Sequence, residues 1–185
     1  LFDASSVGIA AGADVDAAYV NGDLIYMSFT TNGIIVPGVG SVNDEDVVLY
    51  NRVTNTWTLY FDGSDVGLTT DGEDVDAFEI LPDGSVVVSI LTTGAVPGVT
   101  GIQDEDLIRC VGTFGPTTTC VWSWYFDGSD VGLTADGEDV DSVSAASGNL
   151  YLSTVGNYTV AGLSGGNDDV FVCNSSVTGV NTSCS

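Results

Sequence analysis

Histidine and lysine are absent from this 185-residue chain, and its two basic residues are Arg52 and Arg109. The usual general bases, and the partners that activate a nucleophile, are therefore largely missing, so we expect no enzymatic activity. The 26 acidic residues give a formal net charge of −24 at pH 7. Because this charge repels phosphates and anionic lipid headgroups, the sequence argues against nucleic acid and anionic membranes as partners.

Long apolar runs are also absent, because no stretch approaches the ~20 residues that a membrane helix needs. The chain starts at Leu1 without an initiator methionine or a charged, apolar leader. We therefore expect an extracellular or cell-surface protein after signal-peptide removal, without membrane insertion. Hydrophobic residues make up 44% of the chain, which is enough for the core of a single domain.

Cysteine is scarce, and its four copies form two local pairs, Cys110 with Cys120 and Cys173 with Cys184. Partners that flank a hairpin face each other on adjacent strands, so this spacing predicts two disulfides and an oxidising compartment. Four free buried thiols are the alternative; a zinc site is disfavoured by the lack of histidine and of a CxxC motif. Glycosylation-type triplets begin at Asn157, Asn174 and Asn181 and also point outside the cell.

A repeated phrase organises the chain: YFDGSDVGL occupies residues 60–68 and 125–133, and LFDASSVGI occupies residues 1–9. Each copy is followed by an Asp-Val-Asp triplet, a turn, an alternating run and an acidic cluster before another strand. These landmarks divide one β domain into an N-terminal complementing strand and three repeats. The strand is residues 1–9, and the repeats are residues 10–68, 69–133 and an incomplete 134–185.

The fold class follows from turn chemistry and alternation, because no stretch has useful helical periodicity. Glycine and β-branched residues dominate, which predicts an all-β protein with about four antiparallel strands in each repeat. We expect the three repeats to form a pseudo-threefold barrel or a propeller-like body.

The third repeat stops one residue after Cys184, whereas the second continues through the aromatic strand at 122–126. We expect residues 1–9 to fill the resulting open strand position, with Leu1, Phe2, Val7 and Ile9 as the assembly residues. Filling within one chain gives a closed monomer, whereas filling from a neighbour gives an open fibre.

Acidic side chains recur at matched positions and suggest a Ca²⁺ site, because Ca²⁺ takes six to eight hard oxygen ligands in flexible geometry. The predicted metal ligands are Asp62, Asp65, Asp74, Asp76, Asp127, Asp130, Asp139 and Asp141. Two alternatives are ordinary turn chemistry of Asp and Gly, and adaptation of an acidic surface to a saline habitat. Aromatic side chains such as Trp57 suit either a core or stacking on sugars.

The phrase YFDGSDVGL, the Asp-Val-Asp segment and the DED strand segment resemble repeats of exported bacterial proteins of unassigned function. This resemblance covers nearly the whole chain and implies a propeller-like β fold outside the cytoplasm, with no known catalytic residues. The first copy departs from the pattern at Ala4 and Ser6, where the other copies have Gly and Asp. The incomplete last repeat with a spare N-terminal strand is similar in architecture to donor-strand-exchange fibre subunits.

Two functional hypotheses follow. The first is a non-enzymatic structural subunit of an extracellular fibre or pilus-like appendage, a helical homopolymer built by inserting the N-terminal strand into a neighbour. The alternative is a monomeric secreted or cell-surface binding module for glycans or Ca²⁺-dependent adhesion. A hydrolase using paired carboxylates is disfavoured, because acidic pairs recur in every repeat whereas an active site is normally unique within a domain.

Overall fold

The computed structural model describes residues 2–185, except for the side chains of residues 175–177. This part of the chain folds into nineteen β-strands with three short 3₁₀ turns and contains no α-helix. None of its helical segments has the length and apolarity needed to cross a membrane. The prediction of an all-β fold with antiparallel strands is confirmed.

The first sheet is antiparallel and has four strands, in the order β1, β2, β5 and β6. A separate hairpin of β3 and β4 is inserted between β2 and β5. Gly22 has a φ of 61° in the two-residue turn between β1 and β2, a left-handed conformation that glycine adopts without strain. The strands are β1 (Val15–Asn21), β2 (Leu24–Phe29), β3 (Ile34–Val36), β4 (Gly40–Val42), β5 (Val47–Asn51) and β6 (Thr56–Phe61).

The second sheet repeats this order with β7, β8, β11 and β12, and again carries an inserted hairpin, β9 with β10. A disulfide between Cys110 and Cys120 links β11 to β12, at one of the two predicted cysteine pairs. The strands are β7 (Val75–Ile80), β8 (Val86–Ile90), β9 (Gly94–Val96), β10 (Val99–Ile102), β11 (Leu107–Thr113) and β12 (Thr119–Phe126).

The third sheet has only three strands, in the order β13, β14 and β17, so β17 is an edge strand. Two hairpins accompany it, and the Cys173–Cys184 disulfide joins β17 to β19. None of the sheets formed by the described residues closes on itself. The strands are β13 (Val140–Ala146), β14 (Asn149–Thr154), β15 (Tyr158–Val160), β16 (Leu163–Gly165), β17 (Phe171–Cys173), β18 (Ser175–Val177) and β19 (Ser183–Cys184).

Strand β8 shows where the core lies, because all five of its residues are buried. Val86 and Val88 belong to the apolar core shared with the first sheet, whereas Val87 belongs to the core shared with the third. The second sheet is therefore covered on both faces, which explains its continuous apolar pattern. Trp57 and Trp122 are each only 6% exposed, so these two tryptophans are core residues and are not surfaces for sugar stacking.

Candidate functional site

The repeated phrase forms a short 3₁₀ turn in each of its three copies, at Ala4–Val7, Ser64–Val66 and Ser129–Val131. In the first copy, Asp3 Oδ1 accepts hydrogen bonds from the Ser5 N–H (3.0 Å) and the Ser5 hydroxyl (2.7 Å). Gly8 then ends the turn with a φ of 98°. These local contacts explain why residues 4–7 adopt a turn and not the strand that the sequence suggested.

The N-terminal segment lies on the first sheet of its own chain. Trp57 Nε1 donates a hydrogen bond to the Val7 carbonyl (3.1 Å), and Ile9 is buried with 4% exposure. Phe2 is half-buried, and its ring centroid is 5.2 Å from that of Tyr50. Leu1 lies outside the described residues. Within one chain, the segment therefore covers the first sheet and leaves the edge of the third sheet open.

The second copy of the phrase makes the same contact and also bridges two sheets. Trp122 Nε1 donates to the Val66 carbonyl (3.0 Å), and Val66 and Leu68 are buried in the core that contains residues of the second sheet. Phe61, which precedes them, is the last residue of β6 in the first sheet, pairs with Val47 and is fully buried. One short segment therefore completes one sheet and covers the next.

The aspartates of the phrase that were predicted as metal ligands act as hydrogen-bond acceptors in these turns. Asp62 Oδ1 accepts from the Ser64 hydroxyl (2.7 Å), and Asp65 Oδ2 accepts from the Thr118 N–H (2.9 Å). The corresponding bonds in the next copy join Ser129 Oγ to Asp127 (2.7 Å) and Thr182 N to Asp130 (2.8 Å). A Ca²⁺ site at these four aspartates stays a prediction.

A second group of predicted ligands converges where the three sheets meet. Strands β1, β7 and β13 pack together, and an Asp-Val-Asp triplet stands at the start of each. The carboxylate of Asp16 contacts those of Asp74 and Asp76, and Asp76 contacts Asp139. We call Asp16, Asp74, Asp76 and Asp139 the central carboxylate cluster. The sequence did not single out Asp16, although its triplet matches the other two.

Burial and mutual repulsion dominate the electrostatics of this cluster. Burial raises the pKa of Asp74 to about 8 and that of Asp76 to about 9, and the negative charge of Asp16 adds to both shifts. The pKa of Asp139 rises to about 7, first through burial and then through the charge of Asp104. Asp141, also predicted as a ligand, instead accepts a hydrogen bond from the Ser153 hydroxyl (2.6 Å). The cluster therefore cannot hold four bare negative charges at low cost.

Several carboxylate oxygens of the cluster lack a hydrogen-bond donor among the described residues. Asp74, Asp76 and Asp139 are only 4–5% exposed, and each has one such buried oxygen; Asp16 Oδ2 is a fourth. The basic side chains lie elsewhere: Arg109 pairs with Asp83, and Arg52 is exposed in the turn after β5. Among the described residues, no group of three or more acidic or cysteine side chains is placed to hold a metal ion.

Two buried glutamates organise the loops beside the cluster, and the sequence did not single them out. Glu73 accepts backbone N–H bonds from Thr69 (2.7 Å) and Thr70 (3.0 Å). The corresponding residue before the next Asp-Val-Asp triplet is Glu138, which accepts from Thr134 (2.7 Å), Ala135 (2.9 Å) and Thr159 (2.7 Å). The shared Asp-Gly-Glu-Asp sequence before both strands is the signal that could have identified them.

The edge of the third sheet exposes an apolar residue whose counterparts are buried in the other two sheets. Val47 pairs with Phe61 and Leu107 pairs with Phe126, and all four are fully buried. Val170 occupies the matching sequence position, directly before β17, and is 66% exposed. A cavity of about 280 Å³ lies beside β17, lined by Val131, Val160, Leu163, Phe171, Cys184 and other residues.

The three predicted glycosylation asparagines, Asn157, Asn174 and Asn181, are all exposed. The side-chain Nδ2 of Asn174 donates a hydrogen bond to the Ser185 carbonyl (2.6 Å), close to the Cys173–Cys184 disulfide. Their modification stays a prediction.

No protein-family model matches this chain, and no curated protein sequence matches it significantly.

Proposed function

We propose that the chain is a non-enzymatic structural subunit of an extracellular fibre or pilus-like appendage. Copies join head to tail, and the start of the N-terminal segment of one copy, at Phe2, pairs with the open edge of the third sheet of the next. Within each copy, the three sheets are arranged like propeller blades around the line where β1, β7 and β13 meet. The two disulfides support an extracellular location, since such bonds persist in oxidising compartments.

The exposed Val170 is the observation that carries this proposal. An edge strand with an uncovered apolar residue and an adjacent cavity is a template for strand pairing with another chain. In the complete sheets, the phenylalanine at the second position of the phrase pairs with this position. The N-terminal segment carries the same phenylalanine, Phe2, which is only half-buried on its own first sheet.

The contact between the first and second sheets, made by the phrase at residues 60–68, shows how one segment can serve two copies. In the second copy of the phrase, Phe61 belongs to the preceding sheet, while Val66 and Leu68 cover the following one. By the same division, Phe2 would pair beside Val170 of a neighbour, while Val7 and Ile9 stay on their own first sheet. The N-terminal turn and its Trp57 hydrogen bond would then survive assembly.

Ala4 distinguishes the contact between two copies in the fibre from the contacts between sheets within one copy. A Cβ added at Gly63 would lie 2.4 Å from the Glu45 carbonyl oxygen, and one at Gly128 would lie 2.4 Å from that of Glu105. The first copy has alanine at this position. The acidic turn at 167–169 of a neighbour therefore cannot approach as closely, and we expect the angle between copies to differ from the angle between sheets.

Electron microscopy of two valine variants tests the joint. Val170→Asp should remain monomeric, because it places a charge on the edge that Phe2 must cover. Val53→Asp is the matched control, since Val53 is 72% exposed on the first sheet, and this variant should form filaments like the wild type. Both variants should keep the unfolding midpoint of the wild-type monomer, which separates loss of assembly from loss of fold.

Two outcomes would contradict the proposal. Wild-type protein that stays monodisperse at every protein and calcium concentration would favour the monomeric binding module. Filaments of unchanged helical parameters from Val170→Asp would place the assembly contact on another surface. As a direct check of register, Phe2→Cys combined with Val170→Cys should give covalent oligomers on a non-reducing gel, whereas Phe2→Cys combined with Val53→Cys should not.

A further inference from the structure

The central carboxylate cluster has a structural problem that the fibre proposal does not address. Four carboxylates from β1, β7 and the start of β13 lie in contact, and three of them are more than nine-tenths buried. Isolated buried charges are strongly unfavourable unless they are paired or bound to a metal. Neither arginine is available as the partner, because Arg109 is held by Asp83 and Arg52 is exposed on the first sheet.

The unpartnered oxygens show what kind of partner is required. Asp74, Asp76 and Asp139 each direct one carboxylate oxygen into buried space where no described donor reaches it. By contrast, Asp62, Asp65 and Asp141 accept hydrogen bonds from neighbouring groups. The cluster is therefore distinguished from the other acidic positions by buried acceptors without donors, and such acceptors require a cation or shared protons.

We propose that the central carboxylate cluster binds one divalent cation of the Ca²⁺ type. Four carboxylates supply up to eight hard oxygens, and Ca²⁺ accepts six to eight such ligands in flexible geometry. No three of the described acidic side chains are placed to hold a metal ion, so binding would have to rotate these carboxylates toward a common centre. The phrase aspartates take no part in this site.

The position of the cluster assigns the cation a structural role. Asp16 belongs to β1, Asp76 belongs to β7, and Asp139 immediately precedes β13, so the three ligands come from three different sheets. Close by, the Ser28 hydroxyl donates to the Val75 carbonyl (2.8 Å), which already ties the first sheet to the second. A shared cation would replace repulsion between the sheets with a common attraction, and this effect does not depend on fibre assembly.

Calcium binding to chelator-treated protein is the direct test. Titration with Ca²⁺ alone, in about 0.15 M NaCl to screen diffuse charge, should show one bound ion per chain and a higher melting temperature. Asp76→Asn should weaken Ca²⁺ binding at least tenfold and abolish the rise in melting temperature. Asp23→Asn is the matched control, because it removes one charge from an exposed residue outside the cluster and should bind like the wild type.

The variants also keep the test independent of folding defects. In chelator, Asp76→Asn should melt at or above the wild-type temperature, because it removes a buried charge and its repulsion. If it does not fold, Asp16→Asn at the less buried side of the cluster provides the same comparison. Wild-type protein that binds no Ca²⁺, or binding that Asp76→Asn and Asp16→Asn leave unchanged, would overturn the proposal and leave shared protons as the compensation.

Discussion

Gly63 offers a direct test of how closely the phrase at residues 60–68 packs against the acidic turn of the first sheet. This glycine is buried and has ordinary right-handed backbone angles, φ −67° and ψ −32°, so alanine could adopt its conformation without backbone strain. An alanine Cβ, however, would lie 2.4 Å from the Glu45 carbonyl oxygen and 2.8 Å from the Glu45 Cβ. Gly63→Ala is therefore expected to destabilise the fold through a steric clash. The clash is between the phrase at residues 60–68 and the acidic turn at residues 44–46.

The magnitude follows from two opposing effects. Forcing a methyl group into a packed site costs about 1–3 kcal/mol, whereas replacing glycine returns about 0.4–1 kcal/mol by restricting the unfolded chain. Because the nearest contact is a backbone oxygen, the steric effect should dominate, and we expect a net loss of about 1–2 kcal/mol. For a chain of this size, each kcal/mol lowers the melting temperature by about 2–4 °C.

Gly12→Ala is the matched control for this measurement. No atom lies within 4 Å of a Cβ placed at Gly12, and its φ is not in the left-handed region. This variant should melt at or slightly above the wild-type temperature, since only the unfolded-state effect remains. Calorimetry of the two variants is sufficient. Equal melting temperatures for Gly63→Ala and Gly12→Ala would refute the close approach of the two segments.

Two further predictions concern a buried acid and a disulfide. Burial raises the pKa of Glu79 to about 7, despite a hydrogen bond from the Ala145 N–H, and Tyr19 and Tyr125 are its titratable neighbours on other strands. The folded state therefore holds this proton more tightly than the unfolded state, so the contribution of Glu79 to stability falls as pH rises from about 4.5 to 7. Glu79→Gln should gain up to ~3 kcal/mol relative to wild type between pH 4 and pH 8, measured by urea unfolding, and a pH-independent difference would contradict this. Replacing Cys110 and Cys120 together with serine should cost about 2–3 kcal/mol in the same assay, whereas an unchanged midpoint would show that this link adds no stability.

The sequence predicted several local features, because these depend on neighbouring residues. Alternating runs between Asn-Gly, Asp-Gly and Ser-Gly turns predicted the long hairpins, and cysteine spacing predicted which thiols face each other across β11 and β12. The inserted hairpins, β3 with β4 and β9 with β10, were missed because their strands have only three or four residues. The turn at Ala4–Val7 was also missed, although Asp3 and Gly8 carry its capping signals.

Tertiary structure alone decided which distant residues meet. Asp16 and Asp76 are 60 positions apart in sequence, and no local pattern brings them together; the packing of β1 against β7 does. The same holds for the N-terminal segment, whose apolar residues fit either its own first sheet or an open edge. Trp57 and the buried site of Ile9 place it on the first sheet, because that contact satisfies both a hydrogen bond and apolar burial. Sequence periodicity defines the strands and turns, whereas long-range packing determines which carboxylates share a site and which sheet edge stays open.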